Sequence, residues 1–269
     1  MRVSQRHWTW GWIAATAMVL VPLPVRADGN SLIGYPQTNI IPKNAFHLDV
    51  DTVGVNAKTN VFSAIGITYG LGSGLRGRSE GSTGADNNSI LGRTEVGVDY
   101  LLTAGATVPT SVPSHDRFYF NFKTQLYDNE KTQTRLVVGG YNLGANSLAT
   151  ARQLYILVSE QHSWGKIQIG LQHAFGKEEG LITPAGNADR TYVQLSYNRH
   201  VWQRLFAAYA GVTGQSSQSR QSVAVAYYLD KSYQGSFALG YLLYNDKSIR
   251  PQRNQVYFGF DYDWGGNKK

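Results

Sequence analysis

Apolar and polar residues alternate with a period of two along nearly the whole chain. The clearest run is 116–128, where Phe118, Phe120, Phe122 and Leu126 fall on one face and Tyr119, Asn121, Lys123 and Gln125 on the other. The same pattern recurs at 166–172, 191–198, 222–230 and 255–264. Successive side chains of a strand point to opposite faces, so this period dictates strands with one apolar and one polar side. About twelve such segments can be counted: 45–55, 61–71, 93–103, 117–128, 133–143, 151–162, 166–175, 190–199, 204–213, 221–230, 235–244 and 254–264. Most have the roughly 9–11 residues that a tilted strand needs to cross a bilayer, against about 5–6 for soluble strands.

The connections narrow the architecture further. From the third segment onward, long or medium links (104–115, 144–150, 176–189, 214–220, 245–253) alternate with short ones (129–132, 163–165, 200–203, 231–234). Barrels in outer membranes have short turns on one side and longer loops on the other. The sequence therefore predicts an all-β, transmembrane, up-and-down antiparallel β-barrel of about 12 strands, spanning 44–264. The front end departs from the rule: 56–60 is short where a long loop is due, and the Gly/Ser/Asn-rich 72–92 is long where a short turn is due. Either 72–92 is an inserted periplasmic loop or the first two strands are misassigned, which leaves ten and fourteen strands as alternatives.

Composition removes most other classes. With no Cys, disulfide frameworks, thiolate metal sites and thiol catalysis are excluded. Charged residues are 16% and aromatics 12%, which argues against a disordered chain. Residues 1–27 read as a signal peptide: Arg2 and Arg6, then the apolar stretch Ile13–Val25, then Val25-Arg26-Ala27 at a cleavage position. Pro22 and Pro24 argue against a retained anchor helix. Removing that segment takes three Arg and no acid from 25 basic and 18 acidic residues, leaving +4. No clustered basic stripe remains, so nucleic acid is not an expected partner. Residues 28–43, with Pro36 and Pro42, read as a loose periplasmic lead, and 265–269 as a tail.

The last strand, Phe258-Gly259-Phe260-Asp261-Tyr262-Asp263-Trp264, resembles the terminal signal read by the barrel-insertion machinery of Gram-negative bacteria. Gly259, Tyr262 and Trp264 match it; Phe258 stands where that pattern has a polar residue, and five residues trail the terminal aromatic. The chain thus resembles porin-like outer-membrane β-barrels, with no subfamily matched. The resemblance implies location in the cell outer membrane, with outer-membrane lipid, the insertion machinery and small polar solutes as partners and no cofactor.

The polar face would line the lumen with Asn121, Lys123, Gln125, Arg135, Gln168, Gln172, Gln194, Ser196 and Asn198. Small residues at Ala224, Ala226, Ser236, Ala238 and Gly240 would leave open volume on one side. Acidic residues concentrate elsewhere: His47, Asp49 and Asp51 alternate on the first strand, Asp261 and Asp263 on the last, Glu95 and Asp99 on the third. Barrel closure would bring the first and last strands together. This acidic cluster reads as a cation-attracting wall, a hard-cation site, or a network neutralised by Lys123 and Arg135; the network is favoured over metal binding. The expected function is a passive channel for small polar solutes, with a preference for cations. A filled-lumen structural, adhesion or polymer-export barrel is the alternative. A barrel lipid hydrolase is the weakest reading, because no His at 47, 115, 162, 173 or 200 has Ser two residues on, and no catalytic residue is assigned.

If Tyr262 and Trp264 form an insertion signal, Tyr262→Ala or Trp264→Ala lowers the amount of heat-modifiable barrel in membranes and raises periplasmic degradation. Immunoblots of unheated membrane fractions read this, and wild-type levels in both variants reject it.

Overall fold

The structure, a computed structural model, describes residues 35–54, 62–71, 94–104, 117–129, 131–144, 152–175, 189–216, 219–229, 234–245 and 254–265. Residues 1–27, read above as a signal peptide, the 72–92 segment and the last four residues lie outside them. Twelve strands form: β1 (Ala45–Gly54), β2 (Phe62–Gly70), β3 (Thr94–Ala104), β4 (Phe118–Asn129), β5 (Thr134–Gly144), β6 (Arg152–His162), β7 (Gly165–Phe175), β8 (Thr191–Trp202), β9 (Leu205–Val212), β10 (Arg220–Tyr228), β11 (Gly235–Tyr244) and β12 (Asn254–Gly265). Each pairs antiparallel with its sequence neighbours, and β1 pairs with β12, so the sheet is a closed barrel. The count is twelve. β2 and β3 pair from Phe62↔Ala104 to Gly70↔Glu95, with one bulge near Ser63, so the first two strands belong where the alternation puts them.

Closure is made by ten residue pairs, from Ala45↔Gly265 to Gly54↔Val256. That pairing removes both sheet edges, which otherwise expose rows of backbone donors and acceptors. It also sets which residues point inward, because a slip of one residue would reverse both faces.

The outer face is apolar around the whole circumference. Phe120, Ile156, Leu171, Leu195, Val223, Leu239 and Phe258 are all large, apolar and exposed. Soluble monomers seldom expose an apolar patch beyond several hundred Å², so this band has lipid as its solvent. At one rim, that of the short turns, it meets a belt of aromatic side chains. Trp164 stacks on His162 and Tyr197, with centroids 4.9 and 5.9 Å apart, and Tyr197 donates its hydroxyl to the Trp164 carbonyl at 2.6 Å. Trp264 stacks on Phe46 at 5.5 Å and on Tyr262 at 6.1 Å. Amphipathic rings of this kind sit at the membrane–water interface.

A charge on that band at mid-depth costs about 2–4 kcal/mol. Leu239→Arg, midway along β11 and 57% exposed, therefore lowers the unfolding free energy of vesicle-inserted protein by that amount. Leu239→Phe, which keeps the face apolar, stays near wild type in the same urea titration.

Candidate functional site: the lumen and its strap

The lumen is divided by charge. On the wall made by β12, β1, β2 and β3, closure sets the acids of β12 and β1 on adjacent strands: His47↔Asp263 and Asp49↔Asp261 are register partners. His47 Nδ1 lies 2.7 Å from Asp263 Oδ1 and its Nε2 lies 3.6 Å from Asp261 Oδ1. Asp261 also accepts from Ser236 Oγ at 3.1 Å. Tyr257 donates its hydroxyl to Asp51 at 2.6 Å, and Asn121 donates to Asp99 at 2.6 Å.

Gly66 explains how Asp49 and Asp99 fit. It lies between them in register, Asp49↔Gly66↔Asp99. A Cβ there would fall 2.4 Å from an Asp99 oxygen and 2.5 Å from an Asp49 oxygen. Only a residue without a side chain leaves the two carboxylates that space.

Glu95 stands apart from these acids. Its carboxylate is 3.0 Å from Lys123 Nζ, and both residues are buried. Arg135 points inward, 5% exposed, and its Nε lies 3.5 Å from Asp128. The counter-charges named from sequence thus sit on Glu95 and Asp128, away from the Asp49–Asp51–Asp261 group.

The opposite wall, β4 to β10, carries amides, hydroxyls and cations. Gln125, Gln168, Gln172, Gln194 and Asn198 are each at most 4% exposed. Gln172 donates to Gln194 and accepts from Tyr141 at 3.1 Å. Lys166 and Arg220 belong to this wall too, though neither stood out in the sequence.

These groups face a piece of the chain itself. Residues 35–43 do not hang free below the barrel; they run inside it as a strap, with Tyr35, Gln37 and Thr38 at 0–3% exposure. Six strands hold it through side chains. Arg220 Nε donates to the Tyr35 hydroxyl at 3.0 Å and the guanidinium lies 4.9 Å from its ring centre. Gln168 and Gln194 both donate to the Pro36 carbonyl, at 2.9 and 3.1 Å. Thr38 N–H donates to Gln168 Oε1 at 2.9 Å, and its hydroxyl is 2.6 Å from that of Ser159. Arg135 and Lys166 both donate to Asn39 Oδ1 at 3.0 Å. Ile41 N–H donates to Glu95 at 2.7 Å.

The strap leaves the lumen through a turn at the short-turn rim. Asn44 N–H donates to the Gly70 carbonyl at 3.0 Å and Ala45 N–H to the Pro42 carbonyl at 3.0 Å. Asn44 takes a left-handed φ of 60°, a conformation Asn tolerates better than most residues.

The small side chains of β10 and β11 are partly buried beside other side chains. Ala224, Ala226 and Ala238 pack against a buried cluster that includes Tyr35, Phe206, Tyr228, Leu242 and Tyr257. Among the inward residues that sequence reasoning missed are Tyr257, Tyr228 and Tyr35. Strict alternation would have found the first two, since Tyr257 sits between outward Val256 and Phe258. Nothing in the pattern marks Tyr35.

No family model matches the chain, and no curated protein matches it. Among solved structures it is similar to the KdgM porin, with a TM-score of 0.46 and 8% identity over 80% of this chain and 98% of that one. It is also similar to outer membrane phospholipase A from Escherichia coli (TM-score 0.41, 12% identity, 85% and 92% covered). A third, Acinetobacter baumannii OccAB2, has a TM-score of 0.34 and 11% identity over 81% of this chain and 60% of that one.

Gly70 supplies a handle on the strap alone. A Cβ at this position would lie 2.1 Å from the Pro42 carbonyl oxygen and 2.5 Å from that of Ile41, both backbone atoms. Gly70→Ala therefore pushes the strap off its seat while the barrel ladder stays intact. The expected result is faster hydrogen exchange at the Ile41 and Ala45 amides, with exchange at Val137 and Leu157 unchanged.

Proposed function

We propose that the chain is an outer-membrane barrel that acts as a porin-like passive channel for small polar solutes. The observation that carries this is a closed wall with lipid-facing apolar residues outside and a wall of amides, hydroxyls and charges inside. Water and polar solutes are the medium such an interior suits; hydrocarbon is the medium its exterior suits. The N-terminal strap narrows the lumen and sets how much of it conducts. Catalysis has no place in this reading: His47 is engaged by two aspartates, and His173 meets Thr191 on the exposed outer face.

The channel prefers cations. Asp49, Asp51, Asp99 and Asp261 gather on one wall, whereas Lys123 and Arg135 lie against Glu95 and Asp128. Like charges that line a low-dielectric wall raise the local concentration of counter-ions. An acid a few Å from a passing cation contributes on the order of a few kcal/mol at an effective dielectric of about 20, less in salt.

A second reading, a barrel with a filled lumen that works through partners, is favoured by the strap's bonds to six strands. Planar-bilayer recordings separate the two. A conducting wild type supports the channel; no steps in conductance favours the filled barrel. In a salt gradient the reversal potential should show cation preference that fades as salt rises. Asp49→Asn with Asp261→Asn should reduce it, and wild-type anion preference would reject the acidic wall as the selectivity element.

A further inference from the structure

The strap crosses the lumen as a peptide bent at Thr38, and the wall recognises its backbone. Gln168 meets one edge of its backbone at two points: Oε1 accepts from the Thr38 N–H and Nε2 donates to the Pro36 carbonyl, each at 2.9 Å. This is the two-point pattern that a neighbouring strand would offer, supplied by one side chain. Glu95 adds a second acceptor, for the Ile41 N–H, and Gln194 a second donor, for the Pro36 carbonyl. Backbone groups give such a tract affinity for peptides in general, as in strand addition at a sheet edge.

Two contacts carry side-chain specificity. Arg135 and Lys166 converge on one neutral oxygen, Asn39 Oδ1, each at 3.0 Å; Arg135 also has Asp128 at 3.5 Å. A carboxylate suits a guanidinium and an ammonium better than an amide oxygen does, because charge-assisted bonds are about twice as strong. Four residues upstream, Arg220 takes an aromatic ring and its hydroxyl.

We propose that the strap's footprint is a binding tract for short anionic peptides, and that the strap is an internal stand-in which such a peptide displaces. Resting on the channel reading only in that the lumen must be reachable from water, this names a ligand of the amide- and cation-bearing wall, separate from the small cations that the acidic wall attracts. The favoured ligand has an acidic side chain over Arg135 and Lys166 and an aromatic residue four positions before it.

The test uses full-length protein in detergent with the strap loosened by Thr38→Pro and Asn39→Gly, neither of which alters the wall. Heat-modifiability confirms folding, and Tyr35→Ala with Asn39→Ala is the second loosened form. The probe is a fluorescein-labelled nonapeptide copying residues 35–43 with Asp in the position of Asn39. Fluorescence anisotropy should show saturable binding to the loosened barrel, about tenfold weaker binding to wild type, where the strap competes, and about tenfold weaker binding when Gln168→Leu is added to the loosened form. Unlabelled peptide should compete and a neutral linear oligosaccharide of similar length should not. No saturable binding to either loosened form, or binding indifferent to Gln168→Leu, overturns the proposal. Conductance of the same preparations keeps the two readings apart: peptide binding without conductance removes the channel and leaves the tract, whereas conductance without peptide binding removes the tract and leaves the channel.

Discussion

A backbone N–H or C=O in hydrocarbon has no water to bond, and each one left unsatisfied costs several kcal/mol. For strands this leaves a single solution, a sheet without edges. The pairing of β1 with β12 provides it, and everything else in the molecule follows from the register it sets. Fixing His47 opposite Asp263 fixes Phe46 and Leu48 toward lipid and brings the acids of both chain ends onto one wall. It also places Phe46 beside Trp264, so the aromatic belt continues across the seam.

The interior answers to a different constraint. Twelve strands enclose more space than wall side chains alone fill, since about eight suffice for a side-chain-packed core. Part of that space is taken by the tyrosine-rich cluster between β8 and β12, and part by the strap. Ordering a strap residue costs about 1–2 kcal/mol. A net hydrogen bond returns about 0.5–1.5 kcal/mol, more when one partner is charged. The two are comparable, so the strap is held near balance, unlike the barrel ladder, whose alternative in lipid is an unsatisfied backbone.

Charge is arranged with the same economy. Glu95 ties three things together, pairing with Lys123 and accepting the Ile41 amide, and it stands where the acidic wall gives way to the amide-rich one. Gly66 and Gly70, both on β2, serve opposite sides of that divide. One makes room for two carboxylates and the other for the strap's carbonyls. Side chains at either position would force the lumen to rearrange without touching the outer surface.

The alternation of Phe118, Phe120 and Phe122 with Tyr119, Asn121 and Lys123 determined, by itself, the strand type, the facing and the closed barrel, because a period of two in long segments has one solution in lipid. It likewise put the strand of His47 and Asp49 beside that of Asp261 and Asp263, since an up-and-down barrel must join its first strand to its last, while the pairing His47↔Asp263 and Asp49↔Asp261 was decided by the register of the closed sheet. The strap lay beyond its reach. Residues 35–43 have no period, and their partners, Gln168, Gln194, Lys166 and Arg220, are side chains on strands more than a hundred residues away in sequence. The small residues of β10 and β11 suggested open volume for the same reason: what packs against them, Tyr35 and Tyr257 among others, comes from elsewhere in the chain. Local periodicity decides which way a side chain points; only the closed tertiary structure decides what it meets there, because the inside of a barrel is built from contacts that no stretch of sequence contains.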